Sequence, residues 1–138
     1  MVQQIYELKC KMTKTNTRFI FRVWDNLTNR YYTLKELNAN CSAGFVDGFI
    51  LGNQDNRFTV EQCMGLKDKN GKLIYDGDIV RRKGYAENFI VCWNENLLGF
   101  YLESDTMISS FVSTTELEVI GNIHENPELL GGQNEAND

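Results

Sequence analysis

Asp68, Asp76 and Asp78 lie close together in the chain. Carboxylates at such spacing can share a divalent cation or divide acid and base work. Asp68-Lys69-Asn70-Gly71 has the look of a calcium loop. An EF-hand loop needs oxygen ligands at positions 1, 3 and 5, Gly at 6 and Glu at 12. Here Gly71 arrives two positions early and no Glu follows. Asp76-Gly77-Asp78 reads better as a turn entering a strand, its aspartates accepting backbone N–H bonds. No metal and no cofactor are expected.

The other candidates for chemistry are thiols and one imidazole. Cys10, Cys41, Cys63 and Cys92 form no CxxC pair, and the one histidine is His124. Zinc would want paired Cys/His spacing, so buried free thiols are the simpler expectation. A nucleophile at Cys92 or a base at His124 has no surrounding motif, and we expect no enzyme.

The densest basic region is Lys67, Lys69, Lys72, Arg81, Arg82 and Lys83. With Tyr85 it makes the candidate interaction surface, since cations beside stacking rings can hold single-stranded nucleic acid. The alternative is that Arg81 and Lys83 alternate outward and keep a strand edge soluble. The chain's net charge is −5, which excludes a generally basic coat. Residues 1–83 carry 14 basic and 9 acidic side chains, and residues 84–138 carry 10 acidic and none basic. Such asymmetry points to a partner, or to basic and acidic parts that meet within one chain or head-to-tail between chains; the plainer alternative is a carboxylate-rich solvated face.

These residues must be held by strands. Tyr6, Leu8, Cys10 and Met12 alternate with polar residues, which predicts an added strand in an extension over 1–16. Residues 17–66 read as a β-rich module. Phe19–Trp24 is its first strand, Asp25–Arg30 a turn, Tyr31–Thr33 the return, and Leu34–Asn38 a short helix behind a capping box. Residues 38–56 read as a loop with one short strand. Phe58–Cys63 alternates, with Phe58, Val60 and Gln62 on one face. Asn70-Gly71 predicts a type I′ hairpin turn. Residues 67–130 then read as a small SH3-like barrel of five strands: Asp78–Arg82, Phe89–Trp93, Gly99–Leu102, Ser110–Val112 and Leu117–Ile120. One 3₁₀ turn over Ser113–Glu116 precedes the last strand. Phe19, Phe21, Phe89, Val91 and Phe100 are the expected core. Pro127 opens a terminal turn, and 131–138 is an acidic tail expected to be disordered. The fold class is mainly β. With no apolar h-region at residues 1–10 and no apolar run long enough to span a bilayer, a soluble cytosolic protein without membrane contact is expected.

Three stretches carry a resemblance: Phe21-Arg22-Val23-Trp24-Asp25, Gly65–Val80 (GLKDKNGKLIYDGDIV), and Val119–Leu130 (VIGNIHENPELL). In this order the chain resembles the YopX family of phage and prophage proteins over roughly Arg18 to Leu130. Met64 and His124 replace the family's usual Thr and Tyr, both as packing variations. Residues 1–11 precede the usual family start. The resemblance implies a β-rich fold, a phage or prophage origin and work in the host bacterial cytoplasm. It supplies no catalytic motif. The expected function is therefore a non-enzymatic accessory protein that binds a host or phage protein. The alternative is nucleic-acid binding through residues 67–85.

Overall fold

The computed structural model describes residues 20–32, 36, 56–110 and 113–131. The expected strand at the N-terminus, the loop over 38–56 apart from Asn56, Phe19 and Phe111–Val112 lie outside the described residues, as does the expected short helix apart from Glu36; of the tail expected over 131–138 only Gly131 is described, and it ends a helix instead. Phe21–Gln62 is one unit, and the described residues from Cys63 onward, with Ile20, belong to the other.

The first unit starts with β1 (Phe21–Asp25) and β2 (Arg30–Tyr31), joined by a turn closed by Asn29 N–H on Asp25 O at 2.8 Å. Asn29 holds φ 53, a conformation its short polar side chain tolerates. The other side of β1 pairs with β3 (Phe58–Lys67), with Phe21 opposite Gln62 and Asp25 opposite Phe58.

One expectation fails here, and the shared face of Phe58, Val60 and Gln62 turns out to be the less buried one. Phe21 is 45% exposed, because it sits at the strand end beyond the buried stretch Val23–Asp25. On β3 the buried face is that of Glu61 and Cys63, while Val60 stands exposed. Glu61 is drawn inward because its Oε2 accepts from Arg22 Nε at 2.6 Å and from the Tyr31 hydroxyl at 3.0 Å. A paired and hydrogen-bonded charge can occupy a position that an unpaired one could not.

In the second unit β3 continues to Lys67 and pairs with β4 (Leu73–Tyr75), with an irregularity between Cys63 and Lys67. Gly65, at φ 85, lies in that irregular stretch. The turn at Asn70-Gly71 is not type I′. Gly71 has φ 82, but among the described non-glycine residues only Asn29, Asn56 and Leu98 have positive φ. Gly71 N–H bonds to Asp68 O at 3.0 Å and Asp68 N–H to Lys72 O at 2.8 Å, the pattern of a three-residue loop ending in a left-handed glycine.

A five-stranded antiparallel sheet follows. Its strands are β5 (Asp78–Arg82), β6 (Asn88–Asn94), β7 (Gly99–Glu103), β8 (Ile108–Ser110) and β9 (Leu117–Asn122). They run in the order β8-β7-β6-β5-β9, so the first strand of the set lies beside the last, as in SH3-like folds. A 3₁₀ turn over Thr114–Glu116 feeds β9. A short helix, α1 (Glu128–Gly131), follows Pro127 and is tied back by Asn88 Nδ2 donating to Leu129 O at 2.9 Å. The core is Ile74, Val80, Phe89, Val91, Leu102 and Leu117, with Met64, Phe100 and Val119 against it. Phe89, Val91 and Phe100 thus sit as the sequence predicts. The fold is mainly β. Among the described residues no helix is long and apolar enough to cross a membrane.

Candidate functional site

Strand alternation decides what the basic cluster can do. Successive side chains on β5 point to opposite faces. Arg82 shares the face of Val80, where it is largely buried. Its Nη1 donates to Ser109 Oγ at 2.8 Å, and its guanidinium lies 4.7 Å from the centre of the Tyr85 ring. Tyr85 in turn packs edge-on against Phe89. Arg82 and Tyr85 therefore brace the end of the core.

Arg81 and Lys83 take the other face, where they line an open recess of about 300 Å³ with Lys69, Thr115, Glu116 and Glu118. Arg81 is the cross-strand partner of Glu118. Glu118 Oε2 lies 3.1 Å from Lys69 Nζ and 3.9 Å from Arg81 Nη1, and Glu116 Oε2 lies 4.0 Å from Arg82 Nε. Lys67 and Lys72 flank the β3–β4 turn, both exposed. The seven expected surface residues thus divide. Lys69, Arg81 and Lys83 meet, Arg82 and Tyr85 face away from them, and two carboxylates from β9 and the turn before it interleave with the cations. A phosphate approaching this recess would meet Glu116 and Glu118 as well as the cations.

The aspartates that suggested a metal are turn-builders. Asp68 Oδ1 accepts the N–H groups of Asn70 and Lys72 at 2.9 Å each, and Oδ2 accepts Val119 N–H at 2.9 Å. Burial acts to raise its carboxyl, but the three backbone donors outweigh that and hold it below its ordinary value. Lys69 N–H adds a bond to Leu117 O, so the hairpin tip is fastened to β9. Asp78 Oδ2 accepts Tyr75 N–H at 2.9 Å across Gly77, whose φ is 83. Among the described residues no group of three or more His, Cys, Asp or Glu could hold a metal ion. In the first unit Asp25 is fully buried. Arg57 holds it with Nε on Oδ1 at 3.0 Å and Nη2 on Oδ2 at 2.9 Å, and Leu27 N–H adds a bond at 2.9 Å. The Arg57 hydrogen bonds keep that carboxyl far below the usual range.

The two described thiols differ in setting. Cys63 is buried. The Cys92 thiol is raised, first by burial, with Glu103 and Asp76 adding to it. Neighbouring Tyr101 is pushed up to about 12 by its hydrogen bond to Glu103 and by Cys92. His124 contributes through its backbone N–H, which donates to Asn122 Oδ1.

The sequence places the β6–β7 connection at Asn94-Glu95-Asn96 but gives no role to the two leucines that follow. Asn94 Oδ1 accepts the N–H groups of Asn96 and Leu97 at 2.9 and 3.0 Å, which leaves Leu97 80% and Leu98 77% exposed. At the base of the turn Trp93 meets Phe100 edge-on, with ring centres 5.0 Å apart. The signal was legible as two adjacent leucines where a turn favours Gly or Asn.

A crystal structure of protein EF1440 from Enterococcus faecalis is similar at a TM-score of 0.50 and 23% identity, covering 80% of this chain and 96% of that one. At that identity the likeness speaks for the fold alone. No curated protein matches the chain. The family model described as YopX protein matches residues 20–131, and with it the three motifs fall into place: one enters the β1–β2 hairpin, one is the Asp68 and Asp78 turns, and one is β9 running into α1. The chain belongs to the YopX family.

Proposed function

We propose that this chain is a phage or prophage accessory protein that acts by binding another protein in the bacterial cytoplasm and catalyses no reaction. One contrast carries the reading. Asp25, Asp68, Asp78 and Glu61 are spent on bonds that build the fold, while Leu97, Leu98 and Ile108 are exposed on hydrogen-bonded turns and strands. Large apolar side chains held out to water on fixed backbone are what a recognition surface needs.

Tagged full-length chain, purified from bacterial cells without nuclease, should bring down a partner protein in near-stoichiometric yield, and that protein should stay bound when the resin is then washed with nuclease. Recovery of nucleic acid with no protein would refute the reading. Nucleic-acid binding through residues 67–85 is less well supported, because Glu116 and Glu118 sit among the cations. A gel shift at ~50 mM salt, where phosphate contacts are strongest, tests it. We expect no shift; a shift lost in Arg81→Glu would replace the protein-binding reading. Head-to-tail assembly through the opposite charges is the remaining form of partner, and a monomer by mass photometry at both low and high salt removes it.

A further inference from the structure

The β6–β7 turn departs from what stability alone would select. A side chain at positive φ crowds the backbone, so such turn positions favour Gly or Asn. Leu98 holds φ 49 there, and with Leu97 it exposes most of its surface. Both features oppose stability, and local strain of this kind clusters at binding sites. The tip is nonetheless fixed in place by the Asn94 side chain beneath it.

Charge says what would accept the tip. The antiparallel register puts the Asp76–Gly77 turn and the end of β9 at the same end of the sheet as the tip. Gly77 N–H bonds to Val91 O, and Asp78 pairs with Asn122. That end carries Asp76, Glu95 and Glu125. In this unit the described cations gather at the other end, where Arg82 pairs with Leu117 and Lys83 N–H bonds to Glu116 O.

We infer that the Leu97–Leu98 tip is the anchor of the binding surface, and that its occupant is an apolar pocket with a basic rim on a different protein. The inference rests on the protein-binding reading above. Two tips packed against each other would bury only roughly a few hundred Å², well short of the ~1,200 Å² of a stable interface, and would set Glu95 against Glu95. An anionic membrane surface would repel the acidic end.

The test places a photo-crosslinking benzophenone amino acid at position 96 of the full-length chain in bacterial cells, with Leu97→Ser and Leu98→Gly as variants. Leu98→Gly relieves the backbone, so its melting temperature should not fall and loss of binding cannot be blamed on unfolding. The expected result is an adduct to one other protein, about 10-fold weaker in either variant. With that partner purified, Kd should weaken by the same factor and weaken further as salt rises. Three results overturn the inference: an adduct unchanged in Leu98→Gly, an adduct of two copies of this chain, or flotation with phosphatidylglycerol vesicles that Leu98→Gly abolishes. A captured partner indifferent to both variants defeats the anchor but leaves the protein-binding reading. Absence of any protein partner defeats both.

Discussion

Asp68→Asn should cost about 2–3 kcal/mol at pH 7. Asp68 is 7% exposed and takes three backbone N–H groups, two on Oδ1 and one on Oδ2. Asparagine can keep its oxygen on the Asn70 and Lys72 amides, but its NH₂ then faces Val119 N–H. A buried donor left without an acceptor costs about 1–3 kcal/mol, and loss of the charge weakens the two bonds that remain. The carboxyl is held below its ordinary value, so its contribution is complete above the unfolded value of about 3.9 and is lost as pH falls toward the folded one. Asparagine does not titrate, so the penalty should shrink between pH 5 and pH 3. Urea unfolding measures it in a Trp24→Phe background, where Trp93 reports the unit that holds Asp68. A penalty under about 0.5 kcal/mol at pH 7, or one equal at pH 7 and pH 3, would show that the three bonds do not carry the turn.

Arg57→Ala strips a fully buried carboxylate of its main partner. Since Arg57 is itself 41% exposed, the cost should be about 2–3 kcal/mol rather than the full price of breaking a buried pair. The midpoint of acid unfolding should rise, read by circular dichroism, because Asp25 no longer stays charged far below the usual range. In Gly121→Ala the new Cβ would fall 2.5 Å from Asn126 Oδ1 and 2.8 Å from Asn126 Cβ. Displacing that side chain should lower the melting temperature by about 5 °C or more. Cys63 and Cys92 should react with iodoacetamide at pH 7.4 at least about 10-fold more slowly than a free thiol, followed by peptide mass spectrometry, since one is buried and the other is raised.

Much of the second unit was legible because its strands are short and bounded by turn residues. Asp78–Arg82 and the 3₁₀ turn before Leu117 fall where alternation and turn chemistry put them. The strand expected from Ser110 begins earlier, at Ile108, because two serines hide its opening where it pairs along β7 at the sheet edge. Glu61 escaped because an acidic residue between Val60 and Gln62 looks outward until Arg22 and Tyr31 are placed beside it. The basic cluster was legible as composition but not as a surface. Neighbours in sequence on a strand face apart, and Glu116 and Glu118 reach Lys69, Arg81 and Arg82 only through the β5–β9 pairing.

That pairing changes the meaning of the charge split. Cations before residue 84 and carboxylates after it meet across β5 and β9, so this share of the asymmetry is closed within one chain. What the pairing does not cancel is direction. The tip end of the sheet is acidic and ends in two exposed leucines, and the other end holds cations among glutamates. An apolar anchor supplies affinity by leaving water, while the charges around it set encounter rate and reject wrong partners. Raising salt should therefore slow association of a partner at the tip more than it speeds dissociation. Leu98→Gly should do the reverse. Stopped-flow rates for the two perturbations separate the charged rim from the apolar anchor, and equal effects on association from both would refute the division.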